Sequence, residues 1–191
     1  MRRTAGVALL VLAGCGYHLP GRGTAVPEGA QTISIQLFHN RTREHGLEVR
    51  VRRAIEDEFR RHGTLRVVPE PEGDLVLRGE IKSLTSVPVA FSASDEAVQY
   101  QGVIQVGMRL VERSSNRVVQ ETKLLQETQD FGAVSGVVIA GSPRFQRGTI
   151  DERDLANLTN VQIGEARRRD ALRELLDLLA RDVYLQAMEA F

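Results

Sequence analysis

Val98-Gln99-Tyr100-Gln101-Gly102-Val103-Ile104-Gln105-Val106-Gly107-Met108-Arg109-Leu110-Val111 is the stretch that decides the fold. Tyr100, Ile104, Val106, Met108 and Leu110 fall on one side, and Gln99, Gln101, Gln105 and Arg109 on the other. A sustained period of two predicts a long strand with one buried and one wet face. Ser114-Ser115-Asn116 reads as a turn, and Arg117 to Glu127 returns as its hairpin partner.

Working outward, Leu75 to Leu84 alternates as well. Leu75, Leu77, Gly79 and Ile81 share one face, and Val76, Arg78, Glu80 and Lys82 the other. Residues 85–97 read as a loop or a ragged extension of that strand. Leu65 to Val68 is a short strand closed by a Pro- and Gly-containing turn. His45 to His62 carries Leu47, Val51, Ala54, Ile55, Glu58 and Phe59 on one helical stripe, with Gly63 as its stop. Thr32 to Phe38 reads as a half-buried strand, with Ile33, Ile35 and Leu37 facing in. The last element is a helix from about Gly164 to Ala190. Leu172, Leu175, Leu176, Leu179, Val183 and Ala187 form its stripe, widened by Ala171, Leu178 and Leu185. Residues 129–159 carry no clear period, although Ala133 to Ala140 is apolar. The expected fold is α+β: a two-layer sandwich with a mainly antiparallel or mixed four- to five-stranded sheet and two helices on one face.

The N-terminus tells a different kind of story. Arg2 and Arg3 precede an apolar run from Ala5 to Leu12, and Leu12-Ala13-Gly14-Cys15 follows. That pattern is a bacterial lipobox, and the run is too short to span a bilayer. Residues 1–14 are therefore expected to be a lipoprotein signal peptide. Cys15 is the expected lipid attachment site, with a diacylglycerol on sulfur and an acyl chain on the freed amine. Several chains on one residue anchor stably. Gly16 follows Cys15 where an Asp would mark inner-membrane retention, so the expected location is the outer membrane, facing the periplasm. Residues 15–31 read as a lipidated tether rich in Gly and Pro, and 32–191 as one domain. The lone Cys excludes an internal disulfide. The chain holds 25 Lys+Arg against 25 Asp+Glu, so bulk charge does not point to nucleic acid.

Catalytic signatures are missing. There is no Gly-x-Ser-x-Gly, His-Glu-x-x-His, P-loop or Rossmann glycine pattern. His18, His39, His45 and His62 lack metal-ligand spacing. A binding or assembly protein without cofactor or metal is expected. Three basic groupings could hold an anion: Arg78, Lys82, Arg109 and Lys123 on neighbouring strands; Arg144 and Arg147; and Arg167-Arg168-Arg169. The last would lie near a helix N-terminus, where positive charge costs about 0.3–1 kcal/mol.

Cys15-Gly16-Tyr17-His18-Leu19 followed by Pro20-Gly21 resembles the mature start of lipopolysaccharide-assembly lipoproteins of the LptE type. The likeness continues in Ile33 to Thr42, Gly46-Leu47-Glu48, Leu75 to Ile81 and Ala171 to Leu175, and so covers most of the chain. Residues 129–163 depart from the family pattern. The resemblance implies a non-enzymatic protein that sits as a plug inside the LptD outer-membrane barrel, supports its assembly and helps deliver lipopolysaccharide to the cell surface. It makes Arg78, Lys82, Arg109 and Lys123 the candidate lipopolysaccharide contacts. The alternative is another periplasm-facing lipoprotein, such as a peptidoglycan-synthase activator or a TolB/CsgG-like interaction domain. A lipid-anchored hydrolase is the third reading.

Overall fold

Alternation over Leu75–Phe91, Ala97–Glu112 and Arg117–Gly132 builds three long strands, β4, β5 and β6. The computed structural model describes residues 26–93, 95, 97–132 and 152–188. The remaining elements are β1 (Thr32–Ile35), β2 (His39–Asn40), α1 (Leu47–His62), β3 (Arg66–Val67) and α2 (Glu152–Met188). They form one mixed sheet in the order β3-β1-β4-β5-β6, with β2 pairing β4 beyond the end of β1. Pairing among β1, β2, β3 and β4 is parallel, and β4-β5-β6 is an antiparallel meander. The sheet has six strands, not the expected four to five; β2, two residues long, has no period to read.

The expected α+β sandwich holds, with α1 and α2 packed on one face of the sheet and against each other. Ile33, Leu77, Ile81, Ile104, Val106 and Leu110 fill the sheet side of the core. Val51, Ile55, Phe59, Leu175, Leu179 and Val183 fill the helix side. Val26 and Ala30, placed in the tether by the sequence, pack against this core.

Local chemistry sets the element ends. Gly46 (φ 75°) and Gly63 (φ 66°) bound α1 in left-handed conformations, and the Gly63 N–H bonds the Phe59 carbonyl. At that end Glu58 is buried, accepting from Arg61 and paired with His62 Nε2 at 3.0 Å. The His62 ring stacks on Tyr184 with centroids 4.0 Å apart, and Tyr184 Oη meets Thr64 Oγ1 at 2.9 Å. One polar cluster thus joins α1 to α2. At the edge of β1, Asp74 accepts from the Gln31 N–H, the Thr32 N–H and Thr32 Oγ1, while its own N–H donates to Thr32 Oγ1. These bonds, the Gln31 backbone bond first, hold its carboxyl below the usual range.

Four expectations are corrected. β1 is not half-buried: all four of its residues are buried, and on the side away from the helices Arg113 lies over it, donating to Ser34 Oγ at 3.2 Å and to the Gly73 carbonyl at 2.6 Å. Leu37 is 50% exposed and Phe38 takes the core position instead, its ring lying where a Gly79 side chain would be. Residues 85–91 are strand, so the ragged-extension reading holds over the loop; register shifts around Ser83 and Ala90 blurred its period. The final helix begins at Glu152, twelve residues before the expected Gly164, because a glycine inside a helix is a cost and not a stop. Leu185 is 43% exposed, and Ala180 and Tyr184 are buried in its place.

Candidate functional site

Parity in β4 and β5 carries Arg78, Glu80, Gly107 and Arg109 to the sheet face that the helices leave uncovered. Arg78 lies directly opposite Arg109, and Glu80 opposite Gly107. On the other side Arg109 lies opposite Glu121 of β6. Alternation also carries Lys82 to this face, and a register shift in β6 opposite Val106–Met108 brings Lys123 beside it. Lys82 Nζ donates to the Lys123 carbonyl at 2.6 Å. It crosses Gly107 to do so: a Cβ there would stand 3.0 Å from the Lys123 carbonyl oxygen and 3.3 Å from Lys82 Cε.

The structure therefore gathers all four strand cations, Arg78, Lys82, Arg109 and Lys123, along one concave groove. Lys123, whose parity Val118-Val119 and Leu124-Leu125 obscure, belongs with the others. Glu80 and Glu121 line the same groove, so it holds four basic side chains against two acidic ones. Arg109 Nε pairs with Glu121 at 2.9 Å, and Arg41 with Glu80 at 3.1 Å. Among the described residues Arg78 has no ion pair, and it faces a like charge. Opposed like charges cost stability in an antiparallel pair, and an anion between them removes that cost. The Arg109 side chain is 61% exposed, so its ion pair is a weak one that a phosphate can displace.

Sequence reasoning missed Glu121 as a groove residue. Its place opposite Arg109 depends on the shift between Leu110 and Val111, which no local pattern announces. The other basic groupings fare differently. Arg167, Arg168 and Arg169 are exposed well inside α2, so the helix-terminus penalty expected for them does not apply. Arg168 reaches Glu44 at 3.2 Å, and Arg169 Nε donates to the Glu165 carbonyl. Cys15, Arg144, Arg147 and the Ala133–Ala140 run lie outside the described residues. Among the described residues no three His, Cys, Asp or Glu side chains converge as a metal site, and no helix is long and apolar enough to cross a membrane.

The solved structures that the chain resembles include three bacterial proteins. A protein from Xanthomonas campestris is 12% identical over 83% of this chain and 84% of its own, with a TM-score of 0.49. A lipoprotein from Caulobacter crescentus is 11% identical over 78% of this chain and 86% of its own, at 0.46. Lipoprotein B from Nitrosomonas europaea is 12% identical over 82% of this chain and 83% of its own, at 0.45. No curated protein matches the sequence. A family model described as lipopolysaccharide-assembly, LptE, matches residues 30–187.

Proposed function

The chain belongs to the LptE lipopolysaccharide-assembly family, and from that premise we propose that it is an outer-membrane lipoprotein that plugs and helps assemble the LptD barrel and assists lipopolysaccharide delivery to the cell surface. Cys15 carries the lipid, and the domain faces the periplasm and the barrel lumen. Its work is binding and assembly, not catalysis.

The observation that carries the lipopolysaccharide part of this reading is the convergence of Arg78, Lys82, Arg109 and Lys123 on one uncovered sheet face. Lipid A and the inner-core sugars present phosphates and carboxylates. Inside a partly enclosed lumen those charges are screened less than in open water, so cations on a fixed sheet pair with them more strongly. The rest of the face suits a polar barrel interior. Gln99 and Gln101 both donate to Asp130, Gln105 bonds Gln126 at 2.7 Å, and Ser83 bonds Gln105 at 3.0 Å. This cross-strand ladder keeps a flat, hydrogen-bonding surface in register.

The test is a double charge reversal, Lys82→Glu with Arg109→Glu, measured for lipopolysaccharide binding beside an LptD pull-down. Binding should weaken strongly, and more so at low salt, with fold and barrel complex intact. Unchanged affinity with an intact complex would remove this face from the mechanism.

A further inference from the structure

A second concavity lies on the opposite, helix-covered face of the sheet. Along β5 the core row runs Tyr100, Gly102, Ile104, and at Gly102 it has no side chain. A half-open gap of about 250 Å³ lies there; Leu84 of β4, Phe131 of β6 and Leu172 and Leu175 of α2 form its apolar side, and Thr85, Ser86 and Gln129 its polar side. It exceeds the roughly 150 Å³ apolar cavity that is enough to take up benzene. Arg43 and Arg168 stand at its open mouth with Glu44. Glu44 holds Arg168 at 3.2 Å, and Arg43 has no ion pair among the described residues. The mouth thus carries two guanidinium groups and one carboxylate, next to an apolar wall made by Leu84, Phe131, Leu172 and Leu175.

We propose that this cavity binds the end of a single acyl chain whose anionic head group pairs with Arg43 and Arg168. Apolar burial in the gap left by Gly102 supplies the affinity, and the arginines select a charged head over a neutral one. A fatty-acid carboxylate and a lysophospholipid phosphate offer the same chemistry. Because the site lies across the sheet from the basic groove, it does not rest on the reading of that groove. It also gives a role to Arg168 within the Arg167–Arg169 run.

The full chain carrying Cys15→Ser, purified without detergent, is titrated with dodecanoate, with lauroyl lysophosphatidylglycerol and with dodecanol. Displacement of a fluorescent polyene fatty acid is the readout, and the chain's lack of Trp keeps the background low. At least one of the two anions should bind about tenfold more tightly than dodecanol. Whichever binds better names the source of the head group. Gly102→Val fills the gap: a Cβ there meets the Gln129 carbonyl oxygen at 3.5 Å and Leu175 Cδ2 at 3.7 Å, ordinary contact distances. It should abolish displacement at an unchanged melting temperature. Arg43→Glu with Arg168→Glu, both at the surface, should bring anion affinity down to that of dodecanol, and this pair decides the matter if the valine variant does not fold. Failure of both anions to bind, equal affinity for dodecanol, or affinity unchanged in the charge-reversed variant would overturn the proposal.

Discussion

Glu127 is the residue whose environment most alters its chemistry. It is half-buried on the helix side of β6, facing Asp182 of α2. Burial first, then the hydrogen bond and the charge of Asp182, push its carboxyl up to about 7 from 4.5. The sign of the consequence is fixed by linkage. The folded chain holds this proton more tightly than the unfolded one, so its stabilising effect is full below pH 4.5 and is lost as pH rises toward 7. Glu127→Gln keeps a donor for Asp182 and cannot ionise. It should raise the melting temperature above that of the wild type at pH 8 and leave it unchanged at pH 4.5. Thermal melts at both pH values check this; an equal effect at both would mean that the carboxyl does not titrate against Asp182.

At the scale of elements, α2 closes the core over β5, β6 and α1. Leu175, Leu176, Leu179, Val183 and Ala187 are buried at helical spacing, and Tyr184 ties the same helix to α1. Leu176→Asp places a carboxylate without a partner in that stripe. Melting of the variant should show a loss of about 3–5 kcal/mol, the range for an unpaired buried charge. A melting temperature within a degree or two of wild type would mean that the helix does not pack as described. The stripe was legible in the sequence because it repeats at a fixed period. The start of the helix was not, since Gly164 looks like an end when read locally. Where the strands shift register, local reading failed in the same way. Residues 85–91 are strand although their alternation is broken, because backbone pairing with β5 continues through the irregularity.

For the whole molecule, the proposed anchor on Cys15 and the folded domain should be separable. Among the described residues, the core is complete enough to bury twenty-three side chains from Ile33 to Ala187. Cys15→Ala should therefore leave the melting temperature unchanged while abolishing incorporation of a palmitate analogue and membrane retention. Label in the variant, or none in the wild type, would remove the lipid from the proposal. Among the described residues, the helices cover one sheet face and leave the basic groove on the other exposed, and the proposed roles of groove and cavity divide along that boundary.

The hydrophobic periods of β4, β5, α1 and the C-terminal half of α2 are local, so the sequence alone determined the α+β class and which face is wet in β5 and in the first half of β4. The motifs from Cys15 to Leu175, in their order, carried the resemblance to the family, and the family model over residues 30–187 shows it. Parity also placed Arg78 and Lys82 on the outer face of their strand. Only the tertiary structure decided the parallel placement of β1 between β3 and β4, the arrival of Lys123 beside Lys82, and the pairing of Glu121 with Arg109. The cavity at Gly102 belongs with these. All of them arise from strand register and helix docking. Those are set by the sum of many side chains packing across distant segments, and no single segment encodes them.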